Sequence, residues 1–410
     1  MNTRPVSLRD VPESEIDRAL ALARLVFHES SDDERRKRQR EMLSGCLRIG
    51  AYDGEELVGF AAAHPFTVSV PGGGELPCPG LSYVSVAPTH RRRGVLSAMM
   101  SELFARCAGQ GAPLAALWAS EAAIYGRFGF GPGTYGATLE VDSRRALALR
   151  IAPDERAPRL LDTAAAPAVL APYFEATRGS RAGRHARTET WWREQRLARR
   201  DEEDEALSPP RVVTLGEPLA GYAIYRTKGG DYVKDVPGLV SVEELEADSP
   251  QVAAALWRCL AGIDLTGTVR AHGRPLDDPL PLFAADRDQV GVSRVEPALW
   301  VRLVDVRAAL AARAWAAPVD VVLAVRDTPL PANAGSFRLI ASPDGFSYAP
   351  TDDAPDLTLE VRDLATAYMG AAPVAELVRA GLVVEHKQGA ASMLDAALRT
   401  ELLPHTCDSF

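Results

Sequence analysis

The stretch that most constrains this chain runs from Tyr83 to Met100. Tyr83-Val84-Ser85-Val86 reads as a strand that stops at Ala87-Pro88. A basic loop, Thr89-His90-Arg91-Arg92-Arg93, then closes on Gly94, and a helical pattern starts at Val95-Leu96-Ser97. A helix start offers unpaired backbone amides and the positive end of the helix dipole. Strand, glycine loop and helix in this order therefore make an anion site. Gly94 lets the backbone approach a phosphate closely, and Arg92 and Arg93 add charge suited to a pyrophosphate or a 3′-phosphate. Backbone splayed at the strand end can pair with an extended amide ligand as an added strand would. A basic surface turn is the plain alternative. The strand before the loop and the helix after it favour the anion site.

A second cluster follows the next strand, in Trp118-Ala119-Ser120-Glu121-Ala122-Ala123-Ile124-Tyr125-Gly126 and on to Pro132. Ser120 suits the N-cap of a short helix and Gly126 its stop. That places Tyr125 at the end of a short helix beside the strand of the anion site. A packed aromatic is the structural alternative for Tyr125.

Around these motifs the first ~150 residues alternate between element types. A helix is expected over Ser14 to Phe27, a charged helix over Asp32 to Leu43, and a hairpin turning at Asp53-Gly54. Strands Leu114 to Ala119 and Ala137 to Val141 complete this unit. The middle section carries an acidic run, Asp201 to Glu205, read as a solvated loop, and then an echo of the first unit. Leu219 to Arg226 resembles Leu57 to His64, and Leu239 to Val242 resembles Tyr83 to Val86. Aligned on Val84 and Val240, the echo puts Asp248 opposite Arg92 and Pro250 opposite Gly94, so no second phosphate site is expected. The last ~110 residues read as a small antiparallel sheet followed by helices, an α+β unit.

A chain of 410 residues exceeds one ordinary core and points to two or three domains. Its net charge of −9 argues against general nucleic-acid binding. The basic run Arg35 to Arg40 is flanked by Asp32, Asp33, Glu34 and Glu41 and reads as a solvated helix face. No stretch reads as a signal peptide or a membrane span, which suggests a cytoplasmic protein. The five scattered cysteines and seven histidines form no metal-like spacing, so reduced thiols and no metal are expected.

With Arg91 and Gly94 in place, the loop resembles the acetyl-CoA loop of the GCN5-related N-acetyltransferase (GNAT) superfamily, Gln/Arg-x-x-Gly-x-Gly/Ala. Leu96 departs from it, standing where the superfamily carries Gly or Ala. With Tyr125, the three arginines, the long additional domains and a terminal Phe410, essentially the whole chain resembles the enhanced intracellular survival (Eis) family. The resemblance implies an α/β (α+β) architecture of two fused GNAT-like domains and a sterol-carrier-like domain, drawn as residues 1–150, 151–298 and 299–410. It implies acetyl-CoA as co-substrate, held by the backbone of Val84, Ser85 and Val86, by Arg92, Arg93, Gly94, Val95, Leu96 and Ser97, and by Ser120 and Glu121.

It further implies Tyr125 as general acid toward the coenzyme A thiolate and the Phe410 carboxylate as acceptor of the amine's proton. A phenol with a pKa near ~10 is a reasonable donor to a thiolate, whereas a terminal carboxyl near ~3.5 is a weak base, suited to orienting the ammonium and relaying its proton. Cationic multi-amine acceptors such as aminoglycosides, and a homohexamer, follow from the resemblance too. Phe27, His28, Glu29, Asp32, Asp33 and Tyr83 are the candidates for the acceptor pocket. A protein lysine acetyltransferase and a lipid-binding scaffold are the competing readings.

Overall fold

A computed structural model describes residues 6–201, 204–231, 233 and 236–410. Glu202 and Glu203 of the acidic run lie outside the described residues. The chain opens with β1 (Ser7–Asp10), α1 (Ile16–Phe27), α2 (Asp33–Leu43), β2 (Leu47–Asp53) and β3 (Glu56–His64). A small hairpin of β4 (Thr67–Ser69) and β5 (Glu75–Pro77) precedes β6 (Gly80–Val86), α3 (Val95–Gly109), β7 (Leu114–Trp118), α4 (Ala122–Tyr125) and β8 (Gly131–Pro132). Next come β9 (Tyr135–Asp142), β10 (Arg159–Leu161), α5 (Ala166–Arg178), α6 (Glu189–Trp191), β11 (Arg211–Leu215) and β12 (Gly221–Lys228). The middle section closes with β13 (Gly238–Ala247), α7 (Pro250–Ala261), β14 (Thr266–Arg274), α8 (Leu280–Phe283) and β15 (Val290–Pro297). The last section holds β16 (Leu299–Leu303), α9 (Val306–Ala312), β17 (Val319–Arg326), β18 (Gly335–Ser342), β19 (Gly345–Pro350), β20 (Leu357–Glu360), α10 (Val361–Met369), α11 (Val374–Arg379), β21 (Val383–Glu385) and α12 (Ala390–Leu398).

Two seven-stranded sheets share one plan, β1-β2-β3-β6-β7-β16-β8 and β10-β11-β12-β13-β14-β9-β15. In each, only the fourth and fifth strands run parallel. The expected duplication is therefore present in the topology. The first sheet takes its sixth strand, β16, from beyond the whole of the second, and the second takes its sixth from β9, the first of its strands in the chain. Ala137 to Val141 does not complete the first unit, because β9 pairs with β14 and β15. Residue 299 does not begin the last unit, because β16 fills the gap between β7 and β8. Alternation reveals which residues of a strand are buried, but not which open sheet edge receives it. Ala137, Leu139 and Val141 pack with Val240, Val269 and Leu280. Leu299, Val301 and Leu303 pack with Leu114, Ala116 and the apolar residues of the last unit.

The last sheet, β19-β18-β17-β20-β21, is mixed, since β17 and β20 run parallel and a short β21 joins the edge. It shares one core with the outer face of the first sheet, so the last unit is fixed against the first. From Pro404 the chain returns between the first two units, with His405, Thr406 and Asp408 each no more than 2% exposed. The end is docked, not frayed. All five cysteines are free thiols. Among the described residues no helix is long and apolar enough to cross a membrane, and no cluster of metal-ligating side chains occurs.

Candidate active site

The strand-loop-helix opens a gap in the first sheet. β6 pairs with β7 only at Gly80–Ala116 and Leu81–Leu117, and beyond them Ser82, Ser85 and Val86 pair with β3 alone. The β3 ladder slips between Phe60 and Ala62, so Tyr83 and Val84 bulge out of register, with Tyr83 at φ 54°. A bulge bends its strand and leaves backbone groups unpaired. Val84 therefore presents main chain to the gap. Ser85 is buried with Oγ 3.5 Å from the Phe60 carbonyl, so only its backbone is available, and Val86 still pairs with Gly59.

Beyond Val86, residues 87–94 form the loop. Arg91, Arg92 and Arg93 are exposed, and Arg93 is 3.8 Å from Asp53. Arg92 has φ 60° and Gly94 φ 82°, and a β-carbon on Gly94 would meet nothing within 4 Å. Glycine adopts this left-handed turn without strain. Gly94 is the N-cap of α3, which has no side-chain cap. The amides of Val95, Leu96 and Ser97 are thus the unfilled donors of a helix start. Val95 anchors the turn in the core at 2% exposure, Leu96 is half-buried and Ser97 exposed. These features fit the acetyl-CoA moiety: an open strand edge for its amides and a basic helix start for its phosphates.

The matching segment of the second sheet is closed. β12 meets β13 at Gly221–Ala247 as β3 meets β6 at Gly59–Val86, which makes Leu245 the counterpart of Val84 and Asp248 that of Ala87. Only Asp248 and Ser249 separate β13 from α7, so nothing stands opposite Arg92 or Arg93. The gapless alignment that set Asp248 against Arg92 overlooked this shorter loop. Ser249 caps α7 by accepting from the Val252 amide at 3.3 Å, and Pro250 occupies its first turn. The Leu245 carbonyl accepts from Arg274 Nη1 at 2.9 Å.

A cavity of about 510 Å³ lies where β6 and β7 part, lined by Val84, Ser120, Tyr125, Ser409 and Phe410, with α1 and α2 opposite. Tyr125 is 7% exposed, and burial, then the nearby Glu121 carboxylate, pushes its phenol up to about 12. No hydrogen bond to another described side chain engages its hydroxyl. Ser120 lines the cavity but does not cap α4. Glu121 holds the N-cap position without a side-chain bond, and Gly126 passes into a further tight turn that ends at Gly129, φ 83°. A short polar residue near a helix start is a cap only when its backbone reaches the cap conformation.

Phe410 sits with its ring against Phe66, His64 and His185, at centroid distances of 5.0, 6.1 and 6.4 Å. Gly80 makes the seat, since a β-carbon there would fall 2.8 Å from the Phe410 ring. Burial, with His185 beside it, pulls the His64 imidazole down to about 4. Two residues back, Asp408 bonds Arg187 Nε at 2.9 Å and Trp191 Nε1 at 3.1 Å. Arg187 also grips Glu244 through two bonds of 3.0 Å. Burial alone would raise Asp408. The Arg187 guanidinium, with His185 and Arg196, outweighs it and holds the carboxyl well below the usual range. Glu244 lies at the β12–β13 bulge. The tail of the chain is thus anchored in the second unit, beside the counterpart of the first unit's gap.

Of the acceptor-pocket candidates, Phe27, Glu29 and Tyr83 line the cavity. His28 ends α1 with φ 59°, Asp32 caps α2, and Asp33 pairs with Arg36. Sequence reasoning missed Arg24, Arg35, Arg38, Gln39, Met42 and Trp118, which line it too. The signal was available: Arg35, Arg38, Gln39 and Met42 have the spacing of one helix face. Only the rest of the basic run, Arg36, Lys37 and Arg40, faces away from the cavity.

Family models agree with this architecture. An acetyltransferase (GNAT) domain matches residues 7–133, a second matches 183–321, and a sterol carrier protein domain matches 306–406. An uncharacterized N-acetyltransferase of Streptomyces avermitilis is 41% identical over 372 residues, 89% of this chain and 90% of the relative. N-acetyltransferase Eis of Mycobacterium tuberculosis is 34% identical over 378 residues, 89% of this chain and 88% of that protein. The crystal structure of Eis1 from Mycobacterium abscessus, 35% identical, superposes with a TM-score of 0.86 over 99% of this chain and all of that one. The chain belongs to the Eis family of GNAT N-acetyltransferases.

Proposed function

We propose that this enzyme transfers the acetyl group of acetyl-CoA to a small amine in the 510 Å³ cavity, with Tyr125 as general acid and the Phe410 carboxylate as the group that orients the amine. The observation that carries the reading is the meeting of Tyr125, the open edge at Val84 and the chain end in one cavity. In the transfer a nitrogen–carbon bond forms and the carbon–sulfur bond of the thioester breaks. The amine's proton leaves toward the Phe410 carboxylate and solvent, and Tyr125 returns a proton to the sulfur. With its phenol near 12, Tyr125 stays protonated throughout the neutral range and is always armed as a donor. Unfilled amides at Val95, Leu96 and Ser97, with Arg92 and Arg93, hold the phosphates, and Ser120 and Glu121 border the reacting end.

Multi-amine cations such as aminoglycosides, a homohexamer and a cytoplasmic setting belong to the proposal through the resemblance alone. The test is release of free thiol from acetyl-CoA with and without amines. Amine-dependent release that a C-terminal extension beyond Phe410 suppresses is expected. Release indifferent to any amine, or full activity of the extended protein, would contradict the reading.

A further inference from the structure

We propose a further anion site, for phosphate or a phosphate monoester, in the cleft where the turn after Tyr125 meets the last unit. The cleft has a volume of about 260 Å³, room for a small anion and not for a second cofactor. It shares no lining residue with the acceptor cavity, and none of residues 91–97 borders it.

Three arginines reach the cleft from three separate segments: Arg127 after α4, Arg326 at the end of β17, and Arg362 in the first turn of α10. Arg127 rests on the Phe128 ring at 4.9 Å, a contact that leaves its N–H groups unspent. Among the described residues neither Arg127 nor Arg326 has a carboxylate partner. Arg362 has Asp363 at 4.0 Å, the outer limit of an ion pair, and its Nη1 lies 3.0 Å from where a β-carbon on Gly126 would be. Asp327, the buried carboxylate of the cleft, is already taken. It accepts from Arg302 Nη2 at 2.5 Å, Asn333 Nδ2 at 2.9 Å and the Leu330 amide at 3.1 Å. Of the lining carboxylates only Glu360 is left to oppose the arginines, so the cleft carries a positive surplus.

Two further observations set this surplus apart from a solvated basic face. The nine-residue α10 starts on the cleft at Val361 and no side chain caps it, so its first amides and the positive end of its dipole face the same space. Behind Gly129, another lining residue, lies Arg302, 0% exposed, with Nε and Nη1 buried and without a partner. A β-carbon on Gly129 would collide with Arg302 Nη1, so bare glycine backbone stands between that guanidinium and the cleft. Its idle N–H groups extend the field that an anion in the cleft meets. Guanidinium groups pair with phosphate in two-bond geometry, and Thr328 adds a hydroxyl. A phosphate near two negative charges matches the surplus better than a singly charged carboxylate. Held between Arg127 and Arg326, it ties the turn that carries Tyr125 to the last unit.

The test is thermal unfolding of the full-length chain in rising inorganic phosphate or glycerol phosphate, against sodium chloride of equal ionic strength. Every protein compared carries Arg92→Gln and Arg93→Gln, which silences the phosphate loop before α3. The account predicts a saturable rise in melting temperature of about 2 °C or more that chloride does not reproduce. Arg326→Gln with Arg362→Gln should abolish the rise, Arg326→Lys with Arg362→Lys should keep part of it, and Arg127→Gln alone should weaken it. All of these side chains are exposed, and circular dichroism checks that each fold is kept. Calorimetric titration of phosphate should give one site per chain, lost with the paired glutamines. The tighter of the two ligands identifies the source. A rise matched by chloride, a rise that survives the paired glutamines, or heat that never saturates would overturn the proposal. Acetylation enters neither readout, so the outcome is separate from that of the acetyltransferase reading.

Discussion

The two seven-stranded sheets share a strand order and a bulge, yet they put the space beside it to opposite uses. In the first, β6 parts from β7, the Val84 backbone faces a cavity, and eight loop residues, 87–94, carry the chain to an uncapped helix. In the second, Arg274 takes the Leu245 carbonyl, two residues lead to α7, and Ser249 caps it. The second bulge instead holds Glu244, and through Arg187 it fastens Asp408. On the proposed reading, the repeat that lacks the open loop anchors the chain end lining the cavity of the other. What separates the two is the loop length and the fate of a few backbone groups, not the sheet itself.

Shortening residues 87–94 to the two-residue connection of the second sheet would break the comparison most severely. Acetyl-CoA binding should disappear in calorimetric titration while circular dichroism keeps its folded signature. Tyr125→Phe should lower turnover by about 10²- to 10⁴-fold, the usual worth of a general acid, with little change in melting temperature because the hydroxyl bonds no other side chain. Unaltered single-turnover rates would remove Tyr125 from the chemistry. Asp408→Asn leaves Arg187 and Arg196 short of a buried counter-charge and should cost about 3–5 kcal/mol in denaturant unfolding, together with lost acetylation as Phe410 leaves its seat. A variant as stable as the parent would mean that the second unit does not hold the tail.

The smallest expected effect concerns pH. With His64 lowered to about 4 in the fold and near ~6.5 when unfolded, the unfolded chain binds the extra proton between these values. Stability is then full above ~6.5 and declines as pH falls toward about 4. His64→Gln should flatten that decline in melting temperature measured across the window.

Much of this was legible in the sequence. Strand, loop and helix at Val84 to Met100 could be read because each junction carries its own local chemistry: Pro88 after the strand, Gly94 at the turn, an apolar helix beyond. Two things could not. The places of β9 and β16 depend on which strands are left without a neighbour, and the alternation of Ala137, Leu139 and Val141 does not reveal that. The anchoring of Asp408 joins residues more than 200 positions apart, Arg187 at 221 and Trp191 at 217, and no local pattern encodes such a contact. Ser120 failed as a cap for a third reason, since its residue type was right and its backbone position was not.

The contrast between the sheets has one direct test, the stoichiometry of acetyl-CoA binding to the intact chain by equilibrium titration. One molecule per chain, lost when the loop at 87–94 is shortened and kept in Arg274→Ala, is the predicted result. Two molecules per chain, or one that persists without the loop, would contradict it.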